Sequence, residues 1–265
     1  MFSLEIDGQD EMLAAELWEA GSAGIVELEG GRVRAFFEDG ADRAALVARF
    51  RAVSWREEEE RDWVALSRAN WEPIAAGERF YLVPEWRDDP TPAGRFRIVV
   101  NPGMAFGTGI HETTRLCLEA LESYARARGT MLDVGTGSGI LAQAAKLLGA
   151  SPVCACDIDP VAVEIARRGG ACEPCFVGSV DAVRSGWAGL LTANISPEAV
   201  AQLAGELMRC LASGGTALLS GFERQEVDNV AAAVERHGGE VREARYKGSW
   251  ALLVVTRKCD SPARL

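Results

Sequence analysis

Apolar and polar residues alternate with a period of two over Phe2 to Ile6, which predicts a strand with one buried face. From Gln9 to Ala20 the apolar positions recur at helical spacing instead, and Gly21 and Gly24 end that run before a strand over Ile25 to Leu28. Gly30-Gly31 predicts a hairpin turn into Val33 to Phe37. A helix over Ala41 to Phe50 and a strand over Arg51 to Trp55 complete the set. Strand, helix, strand, strand, helix, strand is the order of a ferredoxin-like α+β sandwich, so residues 1–57 are expected to form a small domain of that kind.

The pattern changes at Glu57-Glu-Glu-Glu60-Arg-Asp-Trp-Val-Ala-Leu-Ser-Arg, acidic at its start and helix-prone. A linker helix is expected over 58–75 and a second domain over 76–265. The charge run reads either as a solvated face or as an arm about which the first domain swings. Farther on, Thr130 to Gly135 is short, apolar and closed by glycine, and Ile140 to Leu148 has helical propensity: strand, tight turn, helix. Pro152 to Asp157 predicts another strand, and a helix opens at Pro160 and stops near Arg168 before Gly169-Gly170. Ala188 to Asn194 is an apolar strand, Pro197 to Leu211 a helix with proline in its first turn, Gly215 to Ser220 a strand and Glu223 to His237 a helix. Val241 to Tyr246 and Trp250 to Thr256, separated by Lys247-Gly-Ser249, predict a closing antiparallel hairpin. The alternation gives an α/β, Rossmann-like domain, but the ending does not suit an all-parallel dehydrogenase sheet.

Two glycine-rich segments carry the chemistry. Leu132-Asp-Val-Gly-Thr-Gly-Ser-Gly139 lies at the strand-to-helix turn, where backbone N–H groups point at a ligand. A dinucleotide turn has its third glycine five positions after the first; here Gly135, Gly137 and Gly139 are spaced two and two, which counts against NAD. Asp157, at the end of the next strand, is placed to accept hydrogen bonds from both ribose hydroxyls of an adenosine. Asp133 either fixes the turn or faces the positive end of a ligand, for which a sulfonium-bearing amino acid would suit.

With these residues the chain resembles the class I methyltransferases that use S-adenosyl-L-methionine: Asp133 to Gly139 looks like their first motif and Asp157-Ile-Asp159 like their second. The other segment, Gly103-Met-Ala-Phe-Gly-Thr-Gly-Ile-His-Glu-Thr-Thr114, is similar to the signature of the ribosomal protein L11 methyltransferases, and the surrounding order agrees over nearly the whole chain. The resemblance implies a class I methyltransferase domain behind an amino-terminal ferredoxin-like domain that grips ribosomal protein L11, whose lysine and amino-terminal amines receive methyl groups. It also implies cofactor contacts at Thr114, Gly135, Gly137, Asp157 and Asn194. Asn194 is the expected catalytic contact, because a carboxamide and its neighbouring backbone carbonyl can accept a substrate N–H and orient the lone pair. Related amine and amide enzymes carry Asn-Pro-Pro and an aromatic there, whereas Asn194-Ile-Ser-Pro197 lacks the first proline and the aromatic; this sets the chain apart from the glutamine-modifying group.

Each residue has a plainer reading. Thr114 would cap or pack a helix over Glu112 to Arg126, Gly135 would serve the turn alone, and Asp157 would cap the helix at Pro160. His111 either lies near the methyl or amine or makes a structural hydrogen bond; it is not assigned as a base. Their joint occurrence with the glycine spacing favours a cofactor site.

Composition adds limits. The chain has 265 residues, 48% of them apolar, enough for a large core and two domains. Its start lacks a basic stretch followed by an apolar run, and no later segment offers about 18 uninterrupted apolar residues, so a cytoplasmic protein is expected, acting as a monomer. Seven cysteines, an odd number, argue for reduced thiols. Cys154-x-Cys156 and Cys172-x-x-Cys175 have zinc-ligand spacing, but alternating cysteines in a buried strand behave as small apolar residues, and no metal is expected. The net charge of -11 disfavours a phosphate backbone as partner and suits a basic protein substrate. Other readings are methylation of another protein or a small-molecule amine, and a non-catalytic cofactor-binding module.

Overall fold

The computed structural model describes residues 1–8, 13, 16, 17, 20–28, 30–57, 72–100, 111–126, 129–170 and 172–259. The chain divides into two compact units, Met1–Trp71 and Glu72–Leu265. Most of the helix expected over Gln9 to Ala20, residues 58–71 of the expected linker and residues 101–110 of the first glycine-rich segment lie outside the described residues.

The first unit holds β1 (Phe2–Asp7), β2 (Gly24–Leu28), β3 (Arg32–Phe37), α1 (Arg43–Phe50) and β4 (Ser54–Glu57). The strands form one antiparallel sheet in the order β2-β3-β1-β4, the order of a ferredoxin-like sandwich. Alternation places Phe2, Leu4 and Ile6 beside Val33, Ala35 and Phe37, and Leu46 and Phe50 of α1 close this core. Glu5, of opposite parity, accepts hydrogen bonds from Arg34 directly across the ladder and from Arg32. The last strand begins three residues later than expected. Arg51 takes a left-handed φ of 49° and Ala52 N–H donates to Val47 O, so these residues terminate α1.

The second unit opens with β5 (Ile74–Ala76), β6 (Phe80–Pro84) and β7 (Phe96–Val100), a three-stranded sheet beyond the elements expected from the sequence pattern. Ile74 and Ala75, placed in the expected linker, belong to β5. Glu122 fixes the β5–β6 turn by accepting the N–H groups of Glu78 and Arg79. There follow α2 (Glu112–Tyr124), β8 (Met131–Val134), α3 (Ile140–Leu147), β9 (Val153–Asp157), α4 (Pro160–Arg168), β10 (Cys175–Val177), β11 (Ala188–Asn194), α5 (Pro197–Cys210), β12 (Leu211–Glu223), α6 (Val227–Glu235), β13 (Gly239–Lys247) and β14 (Trp250–Arg257). The strand expected over Gly215 to Ser220 is longer at both ends, and α6 starts late because Glu223 stays in β12 and a 3₁₀ turn spans Arg224–Glu226.

The main sheet has the order β10-β9-β8-β11-β12-β14-β13. Its first five strands are parallel, while β14 is antiparallel to both neighbours, as the closing hairpin requires. This is a Rossmann-like α/β sheet ending in an antiparallel hairpin. Buried residues of α2, α3 and α4 cover one face with the small sheet, and those of α5 and α6 cover the other. Among the described residues no helix is long and apolar enough to cross a membrane.

The cysteines follow the sheet's parity. Cys154 and Cys156 pack with Leu132, Val134 and Val180 on one face. Cys175 lies in register with Ala155 and packs on the other face, as does Cys172. The sheet therefore keeps the two pairs from converging on one zinc ion. Burial pushes the Cys154 and Cys156 thiols up, to about 11 and about 12, as inert core groups.

Candidate active site

From β8 the chain builds outward through β9 and β10 on one side, then resumes at β11 on the other. Loops leaving the carboxyl ends of strands part at such a switch point, and ligands bind in the crevice between them. A cavity of about 490 Å³ lies there, lined by residues that follow β8, β9, β10 and β11 and by others from α2, α5, β12 and β14. The structure brings Thr114, Gly135, Gly137, Asp157 and Asn194 to its wall.

The turn after β8 is made of backbone. Gly135, Gly137 and Gly139 have φ of 67°, 53° and 80°, so every second residue is left-handed and the two-and-two spacing follows. Gly135 and Thr136 N–H donate to Cys156 O at 2.9 and 3.1 Å, tying the turn to β9. A Cβ on Gly135 would overlap Cγ2 of Ile195, so the loop after β11 sits directly on the turn. Gly221 of β12 is likewise backed by the Ile195 carbonyl.

Asp157 accepts Gly137 N–H through Oδ2 at 2.9 Å and Asp159 N–H through Oδ1 at 3.0 Å. The cap of α4 is Asp159, which accepts Val161 N–H at 2.8 Å, so Asp157 is not the capping residue. Ile158, 80% exposed, stands beside it on the cavity wall with Gly178 and Ser179 after β10.

Asp133 does not line the cavity. It is buried beneath the turn, accepting the Thr136 hydroxyl at 2.7 Å and the hydroxyl of Thr192, its register partner on β11. Of its two readings, the structure selects fixing the turn. Desolvation pushes its carboxyl up to about 6, against the lowering effect of the two hydroxyls.

The other end of the cavity is made of side chains. His111 caps α2: its Nδ1 accepts Thr113 N–H at 3.3 Å and lies 2.8 Å from Thr113 Oγ1, so Thr114 is not the cap. Thr114 is buried in the first turn, and Asn194 Nδ2 donates to its Oγ1 at 3.4 Å. The His111 ring meets Trp250 edge-on, with centroids 4.5 Å apart. Ile158, Ser179, Ile195 and Trp250 also line the cavity, beyond the site residues expected from the sequence. Trp250 had a readable signal, an aromatic at the start of a strand just after a hairpin turn, whereas the approach of Ile195 to Gly135 depends on pairing far apart in sequence.

Comparison with known proteins agrees with this architecture. A family model described as ribosomal protein L11 methyltransferase (PrmA) matches residues 9–258. The chain is 41% identical over 214 residues to the ribosomal protein L11 methyltransferase of Burkholderia lata, covering 80% of this chain and 71% of that protein. It is 40% identical over 227 residues to the one from Pelotomaculum thermopropionicum, covering 81% and 73%. Among solved structures it is similar to a ribosomal protein L11 methylase from Lactobacillus delbrueckii subsp. bulgaricus, with TM-score 0.63 and 30% identity over 71% of this chain and 100% of that one. By the family model over residues 9–258 and by its curated relatives, the chain belongs to the ribosomal protein L11 methyltransferase family.

Proposed function

We propose that this chain transfers methyl groups from S-adenosyl-L-methionine to lysine side chains and the amino terminus of ribosomal protein L11. The observation that carries the reading is the setting of Asn194: its carboxamide stands at the carboxyl end of β11, in the same cavity as the adenosine-type wall around Asp157.

The residues fit that cofactor. Asp157 offers a carboxylate to ribose hydroxyls, the turn at Gly135 and Gly137 brings backbone close without Cβ atoms, and Thr114 and Asn194 bound the far end. When bound, the cofactor supplies an electrophilic sulfonium methyl. The remaining work belongs to the protein. A lysine has an ordinary pKa of roughly 10.4, so an attacking amine must first lose a proton. Among the described residues lining the cavity, Asp157 alone carries a carboxylate, which favours the neutral amine at the Asn194 end. With Nδ2 directed to Thr114, Asn194 Oδ1 is left to accept an amine N–H and aim its lone pair. No side-chain base is needed if the proton leaves before attack.

The first unit is read as the substrate grip, the linker as the joint that presents different amines, and the enzyme as a cytoplasmic monomer acting on a basic protein. The charge of -11 supports a basic protein partner over nucleic acid. Intact-mass spectrometry of purified L11 after incubation with the chain and cofactor tests this reading. Increments of one methyl mass, lost in Asn194→Ala, are expected; no increment with cofactor binding intact would send the substrate search elsewhere.

A further inference from the structure

We propose that Trp250, backed by His111, is the acceptor wall of the site and holds the methylated amine as a cation against its indole; this rests on the reading of the chain as an amine methyltransferase. The sheet order carries the argument. Asn194 ends β11; Asp157 ends β9, two strands to one side, and Trp250 opens β14, two strands to the other. At about 4.8 Å per strand, each lies roughly 10 Å across the sheet from the Asn194 strand. The adenosine-type wall therefore occupies one flank and Trp250 the opposite flank. Trp250 pairs with Glu223, three residues past Ser220, the register partner of Asn194, so it stands beyond the carboxyl edge where an acceptor enters.

The chain of contacts agrees. Asn194 donates to Thr114, Thr114 follows the capping His111, and the His111 ring packs edge-on against Trp250. Among the described lining residues, His111 and Trp250 are the aromatic ones, and the one carboxylate is on the far flank. That arrangement suits the charge history of the amine. The nitrogen lone pair forms a bond to the methyl carbon while the carbon–sulfur bond breaks, its electron pair staying on sulfur. The nitrogen is then cationic, and a primary or secondary amine returns to neutrality by giving a proton to water. A carboxylate at the acceptor end would hold the starting ammonium and hinder proton loss. An aromatic face attracts cations more weakly and without a proton acceptor, and accommodates the bulk of added methyls.

Two measurements test the proposal. By calorimetry, a peptide carrying trimethyllysine is expected to bind the wild-type enzyme about five- to thirty-fold tighter than the same peptide with a neutral all-carbon isostere. Trp250→Phe should keep most of that preference and Trp250→Ala should lose it, while cofactor affinity stays within about twofold of wild type. Equal binding of the two peptides to wild type overturns the proposal, as does a parallel loss of cofactor affinity in a folded Trp250→Ala. On L11, intact mass should show Trp250→Ala enriched in lower methylated species relative to wild type; an unchanged distribution also overturns it. A wild type that prefers the cationic peptide yet adds no mass to L11 would overturn the substrate reading and leave the role of Trp250 standing.

Discussion

The two flanks of β11 are built differently. On the β8–β9 side, the wall is a contiguous glycine turn held by backbone hydrogen bonds, with one carboxylate twenty residues from Gly137. On the β12–β14 side and above, the wall consists of side chains from α2, β11 and β14, spanning residues 111 to 250. The first is stiff because its conformation is written into glycines and main-chain contacts. The second is defined by packing among distant elements, so single side chains there should govern chemistry and selectivity more than cofactor affinity.

Asn194→Ala should break the comparison most sharply. Loss of the orienting carboxamide is expected to reduce methyl transfer about a hundredfold or more, with a much smaller change in cofactor affinity, read from turnover and calorimetry. Equal losses in both would mean that Asn194 belongs to the cofactor wall alone. Asp157→Ala should do the reverse, raising the cofactor Kd about ten- to a hundredfold by removing the side-chain acceptor offered to the ribose hydroxyls.

Gly135→Ala comes next, since it adds left-handed strain to an overlap with Ile195, at a cost of about 1–3 kcal/mol. Combining it with Ile195→Ala should restore part of the thermal stability. Strict additivity of the two losses would show that the turn and the β11 loop are not in the contact described.

Asp133 sits beneath the junction of both flanks and gives a pH signature. Its folded pKa of about 6 exceeds the unfolded value near 3.8, so its contribution is fully present below the unfolded pKa and is lost as pH rises through about 6. Stability of Asp133→Asn relative to wild type should therefore increase between about pH 4 and 6 and level off above, by at most of order 3 kcal/mol. A flat difference across that range would mean that the carboxyl does not titrate as buried. The smallest effect is expected for Glu122→Ala, which serves neither flank: about 1 kcal/mol of stability from the lost β5–β6 turn contacts, with unchanged turnover.

How much could be read in advance follows the same division. The glycine spacing, Asp157 and Asn194 all sit at element ends marked by local composition, and so were legible. The closing hairpin was legible too, because its two strands are adjacent in sequence. The β5–β7 sheet was missed: its strands are short, and β6 and β7 pair in parallel across a loop without a helix to signal it. Arg51 looked like strand because a left-handed non-glycine residue leaves no mark in composition. Asp133 stayed ambiguous since its partner Thr192 is 59 residues away, and the burial that selects its role is a property of the assembled sheet.

Because β14 runs against its neighbours, it presents its first residue, not its last, at the edge where the parallel strands end. The hairpin link at Gly248-Ser249 thus opens onto the working edge of the sheet, outside the segments that form the glycine turn. A residue inserted or exchanged in that link would change the rim beside Trp250 while leaving the glycine turn and its main-chain hydrogen bonds in place, so the two flanks can be altered independently.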